Sequence, residues 1–304
     1  MKRRMVGRGA WTSVACVCAV SCVPTLTNDD ALIETTRVLA VRADPAEAKP
    51  GTAVTFTALV ASPIGTVVSA PITWSFCTAP KPLTDDDVVS YACLDPSSLV
   101  AAGDGESTEA TTPASGCSLF GPDTPPGGFR PVAPDVTGGY YQPLRADLPG
   151  AGVAFELARI QCDLANAPAA AVTQFAAAYH DNVNPTLAPL AATVDGGAVS
   201  LGSIHAGARL VLTASWPAAA AETYAYFDPA ARTVTTKRES MAVAWYATSG
   251  ALDTESTGRA EGDLATTTTD GWVAPGAAGT ARLWIVLRDS RGGVDFAAYD
   301  VTVE

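Results

Sequence analysis

The chain has 304 residues, 48% of them hydrophobic, and carries 19 basic against 31 acidic side chains for a formal net charge of -12. Such an acidic surface repels phosphate backbones and gains nothing from anionic lipid, which argues against nucleic-acid binding and electrostatic membrane docking. The length accommodates two multi-strand domains.

The chain opens on Lys2, Arg3, Arg4 and Arg8, followed by an apolar run from Val14 to Val20 that ends in Ser21-Cys22. A basic start, a short apolar stretch and small residues at the cut form the layout of a secretory signal, residues 1–21. The run is far shorter than the roughly 20 residues that span a bilayer. The approach to Cys22 resembles the lipobox of bacterial lipoproteins, with Ala19 where that family usually has Leu. The resemblance implies cleavage before Cys22, lipidation of its sulfur, fatty acyl chains such as palmitate in the membrane, and a chain hung by its N-terminus. Val23 follows the cysteine in place of the Asp that retains some family members in the inner membrane. By that resemblance the expected location is the outer membrane, facing the periplasm or the cell surface. Loss of residues 1–21 removes four basic side chains and no acidic ones, leaving 15 against 31, or -16.

Residues 22–36 are mostly polar and read as a tether. Strand character begins at Arg37–Arg42, and Pro45 and Pro50-Gly51 mark a turn. From Thr52 to Val60 the residues Val54, Phe56 and Ala58 alternate with Thr55 and Thr57, the pattern of a half-buried strand. Ile72–Cys77 alternates likewise around Trp74. The stretch from Thr78 to Gly150, rich in Pro, Gly, Asp, Ser and Thr, reads as a long insertion. Cys77, Cys93, Cys117 and Cys162 follow Cys22, and an even number in an exported protein reads as two disulfides. There is no C-x-x-C pair, and His180 and His205 are near none of the four in sequence, so a metal site is disfavoured. Of three connectivities we prefer Cys77–Cys93 with Cys117–Cys162, because each closes a loop within one half of the same domain. Strand character returns from Gly152 to Cys162, and Val172, Phe175, Ala176 and Tyr179 have helical spacing after Pro168. The expected organisation is a first sandwich over 37–180, a linker over 181–190 and a second sandwich over 191–304.

The second half parallels the first. Pro50–Ala58 matches Ala206–Ala214, and the Trp-bearing segment Ile72–Phe76 matches Val243–Ala247. Order and Trp placement agree, which reads as an internal repeat with extra chain from Pro217 to Lys237. Near the end, Leu283, Ile285 and Leu287 alternate with Trp284 and Val286, and Asp289–Gly293 turns the chain into a last strand over 294–303. That hairpin resembles the last two strands of bacterial immunoglobulin-like and polycystic-kidney-disease-type (PKD) modules, in which a V-x-D-x-x-G-G turn is frequent; here it reads L-R-D-S-R-G-G. The strands of Trp74 and Trp245 resemble strand C of the immunoglobulin sandwich. The resemblance covers 190–304 well and 37–77 in part. It implies an all-β protein with two immunoglobulin-like β-sandwich domains in tandem, the first with a disulfide-stapled insertion and a short helix before the linker.

Chemistry-bearing motifs are sparse. There is no G-x-S-x-G elbow and no H-E-x-x-H. Asp289 and Asp295, flanking the Gly-rich turn, are weak calcium candidates, as are Asp85-Asp86-Asp87 and the group Asp253, Glu255, Glu261 and Asp263. The competing reading is solvated acidic loops, with Asp289 serving its own turn. Phe129, Tyr140-Tyr141 and Tyr224–Phe227 are aromatic handles for a glycan or a protein, or packing residues. The expectation is a lipid-anchored envelope protein with a structural, adhesive or binding role, no catalysis and no cofactor, whose partners are the membrane and an envelope protein or glycan. The alternative is a subunit of an envelope transport or secretion complex, which predicts an apolar patch kept for a partner. A glycan-active enzyme is the third reading.

Overall fold

The computed structural model describes residues 30–82, 85–121, 136–164 and 167–304; the expected signal segment, Cys22 and Phe129 lie outside them. The first sandwich uses β1 (Arg37–Asp44), β2 (Ala53–Ser62), β3 (Thr73–Cys77), β4 (Leu99–Asp104), β5 (Ser107–Thr111), β6 (Gly139–Leu148) and β7 (Gly152–Gln161). One sheet pairs β1, β2 and β5, and the other runs β7-β6-β3-β4. Helix α1 (Gly116–Phe120) lies between β5 and β6, and α2 (Ala169–Ala178) follows β7. The second sandwich uses β8 (Ala191–Val194), β9 (Arg209–Ser215), β10 (Thr223–Asp228), β11 (Thr233–Arg238), β12 (Met241–Ala247), β13 (Ser256–Arg259), β14 (Thr267–Val273), β15 (Gly279–Asp289) and β16 (Val294–Val303). Its sheets are β8-β9-β14 and β13-β12-β15-β16, with β10 and β11 a separate hairpin. The hairpin apart, both sandwiches have one strand order: β1, β2 and β5 correspond to β8, β9 and β14, and β4-β3-β6-β7 to β13-β12-β15-β16. The chain is therefore all-β, with two immunoglobulin-like sandwiches in tandem. Among the described residues no helix is long and apolar enough to cross a membrane.

Alternation decides which side chains face inward. Val54, Phe56, Ala58 and Val60 of β2 meet Trp74, Phe76 and Leu144 in the first core. Leu210, Leu212, Trp245, Trp272, Leu283 and Ile285 build the second. Trp74 and Trp245 hold equivalent places, fully buried, and each indole N–H is satisfied: by Gly105 O at 2.7 Å and by Thr257 Oγ1 at 2.9 Å.

The stretch read as one long insertion holds three strands of the sandwich, β4, β5 and β6. Their sequences, LVAAGD, STEAT and GYYQPLRADL, lack a run of β-branched residues, and β6 carries Pro143. Proline removes a donor from a central strand. The defect is repaired locally. Pro143 lies just past the last β3–β6 pair, Phe76 with Leu144, and the buried side chain of Gln142 donates from Nε2 to Cys77 O at 2.6 Å. Among the described residues, true insertion remains over 78–82 and 85–98. The disulfides are Cys77–Cys93 and Cys117–Cys162, the preferred connectivity.

The two sandwiches lie against each other along their length. Leu39, Ala40, Leu59 and Ala61, on the outer face of the first sandwich, pack on Trp284, Val286 and Val294 of the second. Ile33 joins them, and residues 31–33 pair with the end of β12 through Ile33 N to Ala247 O (2.8 Å) and Ala247 N to Ala31 O (2.9 Å). A second apolar contact forms where Ala225 and Phe227 of the hairpin meet Ala171 and Phe175 of α2.

Candidate functional site

Between the two apolar contacts runs a seam of buried polar groups. It begins in the first sandwich with Glu47, fully buried, whose Oε2 lies 3.0 Å from Arg159 Nε. Gly139 is required here, because a Cβ would overlap the Arg159 guanidinium. The Glu47 carboxylate also accepts from the Tyr179 hydroxyl and from Asn182 N at 2.9 Å, which carries the seam into the segment joining the domains. The Asn182 side-chain amide donates to the Asp289 carboxylate at 3.3 Å. Asp289 in turn accepts from Arg291 N (2.8 Å) and Gly293 N (2.9 Å), closing the β15–β16 turn. That turn needs both of its glycines, since Gly292 sits at φ +101° and a Cβ on Gly293 would overlap the Asp289 carboxylate.

The Arg291 side chain points inward, 2% exposed, and is surrounded by acceptors. Nε donates to Glu239 Oε1 at 2.6 Å, Nη2 to Glu222 Oε2 at 2.8 Å and Nη1 to His180 O at 3.3 Å, with the Tyr224 ring 5.0 Å away. Glu239 Oε2 takes Glu222 N at 2.8 Å, and Glu222 Oε2 takes Val183 N at 3.1 Å. The seam thus holds four carboxylates against two guanidiniums: Glu47 pairs with Arg159, Glu239 and Glu222 pair with Arg291, and Asp289 is held by Asn182 and the N–H groups of its turn. Burial, and next the charge of Asp289, push Glu239 up to about 7 against the pull of Arg291. Burial also raises Asp289, opposed by the N–H groups of Gly293 and Arg291. Tyr179 is driven upward by burial and by the adjacent Glu47 charge.

Most of the acidic residues singled out in sequence are engaged with partners of their own. Asp289 is committed to its turn and to Asn182, and Asp295 pairs with Arg42 at 2.9 Å and accepts Leu187 N at 2.7 Å. Asp253 pairs with Arg209, Glu261 with Lys237 (3.8 Å) and Asp263 with Arg259 (3.1 Å), while Glu255 accepts Asp30 N. Asp85 accepts from Ser90 Oγ and Tyr91 N within its own loop. Among the described residues no group of three or more His, Cys, Asp or Glu side chains is arranged to hold a metal ion. Tyr140, Tyr224 and Phe227 are buried, and Phe227 grips α2. A cleft of about 720 Å³ lies beside the Cys117–Cys162 disulfide, lined by Lys49, Asp163, Phe175, Tyr179 and Asp181.

The second notable surface is the stapled segment 85–98. Cys77, Cys93 and Val89 are buried together over the outer face of the β7-β6-β3-β4 sheet, against Leu99, Phe155 and Leu157. Side chains of the same segment point outward: Val88 is 69% exposed, Tyr91 54% and Leu94 55%. Arg145 Nη1 donates to Leu94 O at 3.3 Å and so ties this loop to β6.

No protein-family model matches the chain, and no curated protein matches it. Among solved structures it is similar to the D00–D0 domain of intimin, at 11% identity and TM-score 0.24 over 89% of this chain and 98% of that one. It is similar to the adhesin InvE of Yersinia pseudotuberculosis, at 11% identity and TM-score 0.24 over 88% of this chain and 58% of that one. It is also similar to the fibronectin(III)-like modules of Clostridium thermocellum CbhA, at 10% identity and TM-score 0.22 over 90% of each chain. Scores this low carry no argument about function, and the fold assignment stands on the strand order itself.

Proposed function

We propose that the chain is an exported envelope protein, lipid-anchored through Cys22 to the outer membrane, whose two sandwiches act as one rigid block in a structural, adhesive or binding role without catalysis. The observation that carries this reading is the seam. Each sandwich pairs its own buried charges, Glu47 with Arg159 and Arg291 with Glu239 and Glu222, and the buried Asn182 of the joining segment ties Glu47 to Asp289 while Arg42 pairs with Asp295 across the contact. Such an arrangement specifies one relative placement. A fixed block suits a protein that presents a surface. Export is supported by the two disulfides, which persist in oxidising compartments. From Cys22 to the docked segment at Asp30 there are eight residues, a reach of at most about 29 Å. On this reading the block stands close to the membrane.

The reading as a subunit of an envelope complex is favoured by one specific observation, the outward-facing Val88, Tyr91 and Leu94. Both readings are tested in the native producer by palmitate labelling, membrane fractionation and crosslinking in intact cells, comparing wild type with Cys22→Ala. Label on the wild type, release of the variant from the outer membrane and capture of envelope polysaccharide support the adhesive role. One dominant protein partner that is lost with the anchor supports the complex subunit. An unlabelled chain recovered in the soluble fraction with Cys22 intact overturns the anchored reading.

A further inference from the structure

We infer that the outer face of residues 85–98 is a docking surface for a cationic stretch of another protein that carries apolar side chains among its lysines or arginines. The inference rests on the binding role proposed above and names the chemistry of the partner. Among the described residues, four of the ten large hydrophobics that are well exposed, Val88, Tyr91, Leu94 and Val153, lie on this segment or on the face of the sheet that it covers. Val153 opposes Asp147 on β6 and alternates onto the same face as Phe155 and Leu157, whereas Val100, paired with the core residue Phe76, is on the other face. The remaining six, Ile64, Val68, Val100, Val183, Val211 and Leu264, are scattered over both sandwiches and the joining segment. Single exposed hydrophobics are ordinary, whereas a group on one face marks an interaction site.

The face is also pre-organised. Cys77–Cys93 is wholly buried beneath it, Ser90 caps the short turn of helix over Tyr91–Leu94, and Asp95 caps the next. A rigid apolar surface loses little conformational freedom on binding.

Charge decides the occupant. From Asp85 to Asp95 there are four acidic residues, Asp85, Asp86, Asp87 and Asp95, and no basic one; Lys81 precedes this span. Asp86 and Asp87 are exposed next to Val88. The basic side chain beneath, Arg145, is already paired with Asp147 at 2.7 Å. An apolar centre with a net negative rim repels an acidic partner and attracts a basic one. A purely polycationic ligand would leave Val88, Tyr91 and Leu94 uncovered, so the partner must supply apolar contacts as well.

The test uses the full chain in nanodiscs of zwitterionic lipid, with empty nanodiscs as blank. The probes are a fluorescent peptide of alternating lysine and leucine and its lysine–serine counterpart, read by anisotropy. The expected result is that the lysine–leucine peptide binds at least about tenfold more tightly than the lysine–serine one. That preference should vanish in Val88→Ser/Tyr91→Ser/Leu94→Ser and weaken with Asp86→Asn/Asp87→Asn and with added salt. Circular dichroism and the intact Cys77–Cys93 bond show that the variants are folded. Equal affinity of wild type and triple variant overturns the inference, because attraction is then diffuse over the acidic surface. Photo-crosslinkers at positions 91 and 264 in cells separate the two failures. A partner captured only from 264 sinks this surface and leaves the binding role standing, and none from either position sinks both.

Discussion

Arg291 stands in a turn that reads in sequence as a solvated loop, and the structure makes it the most heavily engaged cation of the seam. Removing its charge leaves Glu239, Glu222 and Asp289 near one another without their shared counter-ion. Breaking a buried pair in this way costs about 3–5 kcal/mol. Arg291→Met should therefore lower stability by that amount in denaturant titration, and adding Glu239→Gln should restore part of it. A double variant no better than the single one would show that the charges are not coupled. The pH dependence follows from Glu239. Its pKa in the folded chain, about 7, lies above the ordinary 4.5, so the folded state binds that proton more tightly than the unfolded state. The stabilisation is complete below pH 4.5 and is lost as pH rises to 7, up to about 3 kcal/mol. Asp289, raised in the same direction, shifts the profile the same way, so the useful quantity is the difference between wild type and Glu239→Gln. Calorimetry at pH 5 and pH 8 should show the wild type losing more stability than the variant across that interval. Parallel profiles would place the proton elsewhere.

At the scale of elements, the hairpin β10–β11 has no counterpart among the described residues of the first sandwich and serves as an arm. Phe227 and Ala225 lie on Phe175 and Ala171 of α2, and Phe227 N donates to Val136 O at 2.9 Å. Phe227→Ala removes the largest apolar side chain of the arm at a cost of about 3–5 kcal/mol. The loss should be local: amide exchange should quicken in α2 and β10 well before it does in β3 or β12. Uniform acceleration would mean that the arm belongs to the global folding unit. What could be read from sequence divides along similar lines. The strands around Trp74 and Trp245 alternate because one face of each packs in its own core. The β10–β11 segment shows aromatic character without revealing its purpose, since its partner, α2, belongs to the other domain. β4 and β6 stay hidden because Gly, Asp and Pro interrupt them, β5 because it is short and mostly polar, and the Gln142 repair is a tertiary contact. Glu47 and Arg159 look like ordinary surface charges, and nothing local pairs residues so far apart in the chain.

Across the whole molecule, the side-chain pattern of β15 calls for cover on two faces. Leu283, Ile285 and Leu287 fill the core of the second sandwich, yet Trp284 and Val286 on the opposite side are equally apolar and equally buried. A strand apolar on both faces is covered on both, and the cover here is the first sandwich. Trp284 reaches it both by packing on Leu39, Leu59 and Ala61 and by donating from Nε1 to Thr66 Oγ1 at 2.9 Å. Because Trp284 lies outside both domain cores, Trp284→Ala should cost about 3–5 kcal/mol drawn from the interface and not from either sandwich. The wild type, with apolar contacts on both sides of a charged seam, should unfold in one calorimetric transition whose van't Hoff and calorimetric enthalpies agree. In the variant the sandwiches lose mutual support, and the trace should broaden or split into two transitions, the seam opening before the cores melt. If Trp284→Ala instead unfolds in a single transition as sharp as that of the wild type, the polar seam and the α2 contact couple the domains without it. The Arg291→Met variant, measured in the same way, should then be the one that splits.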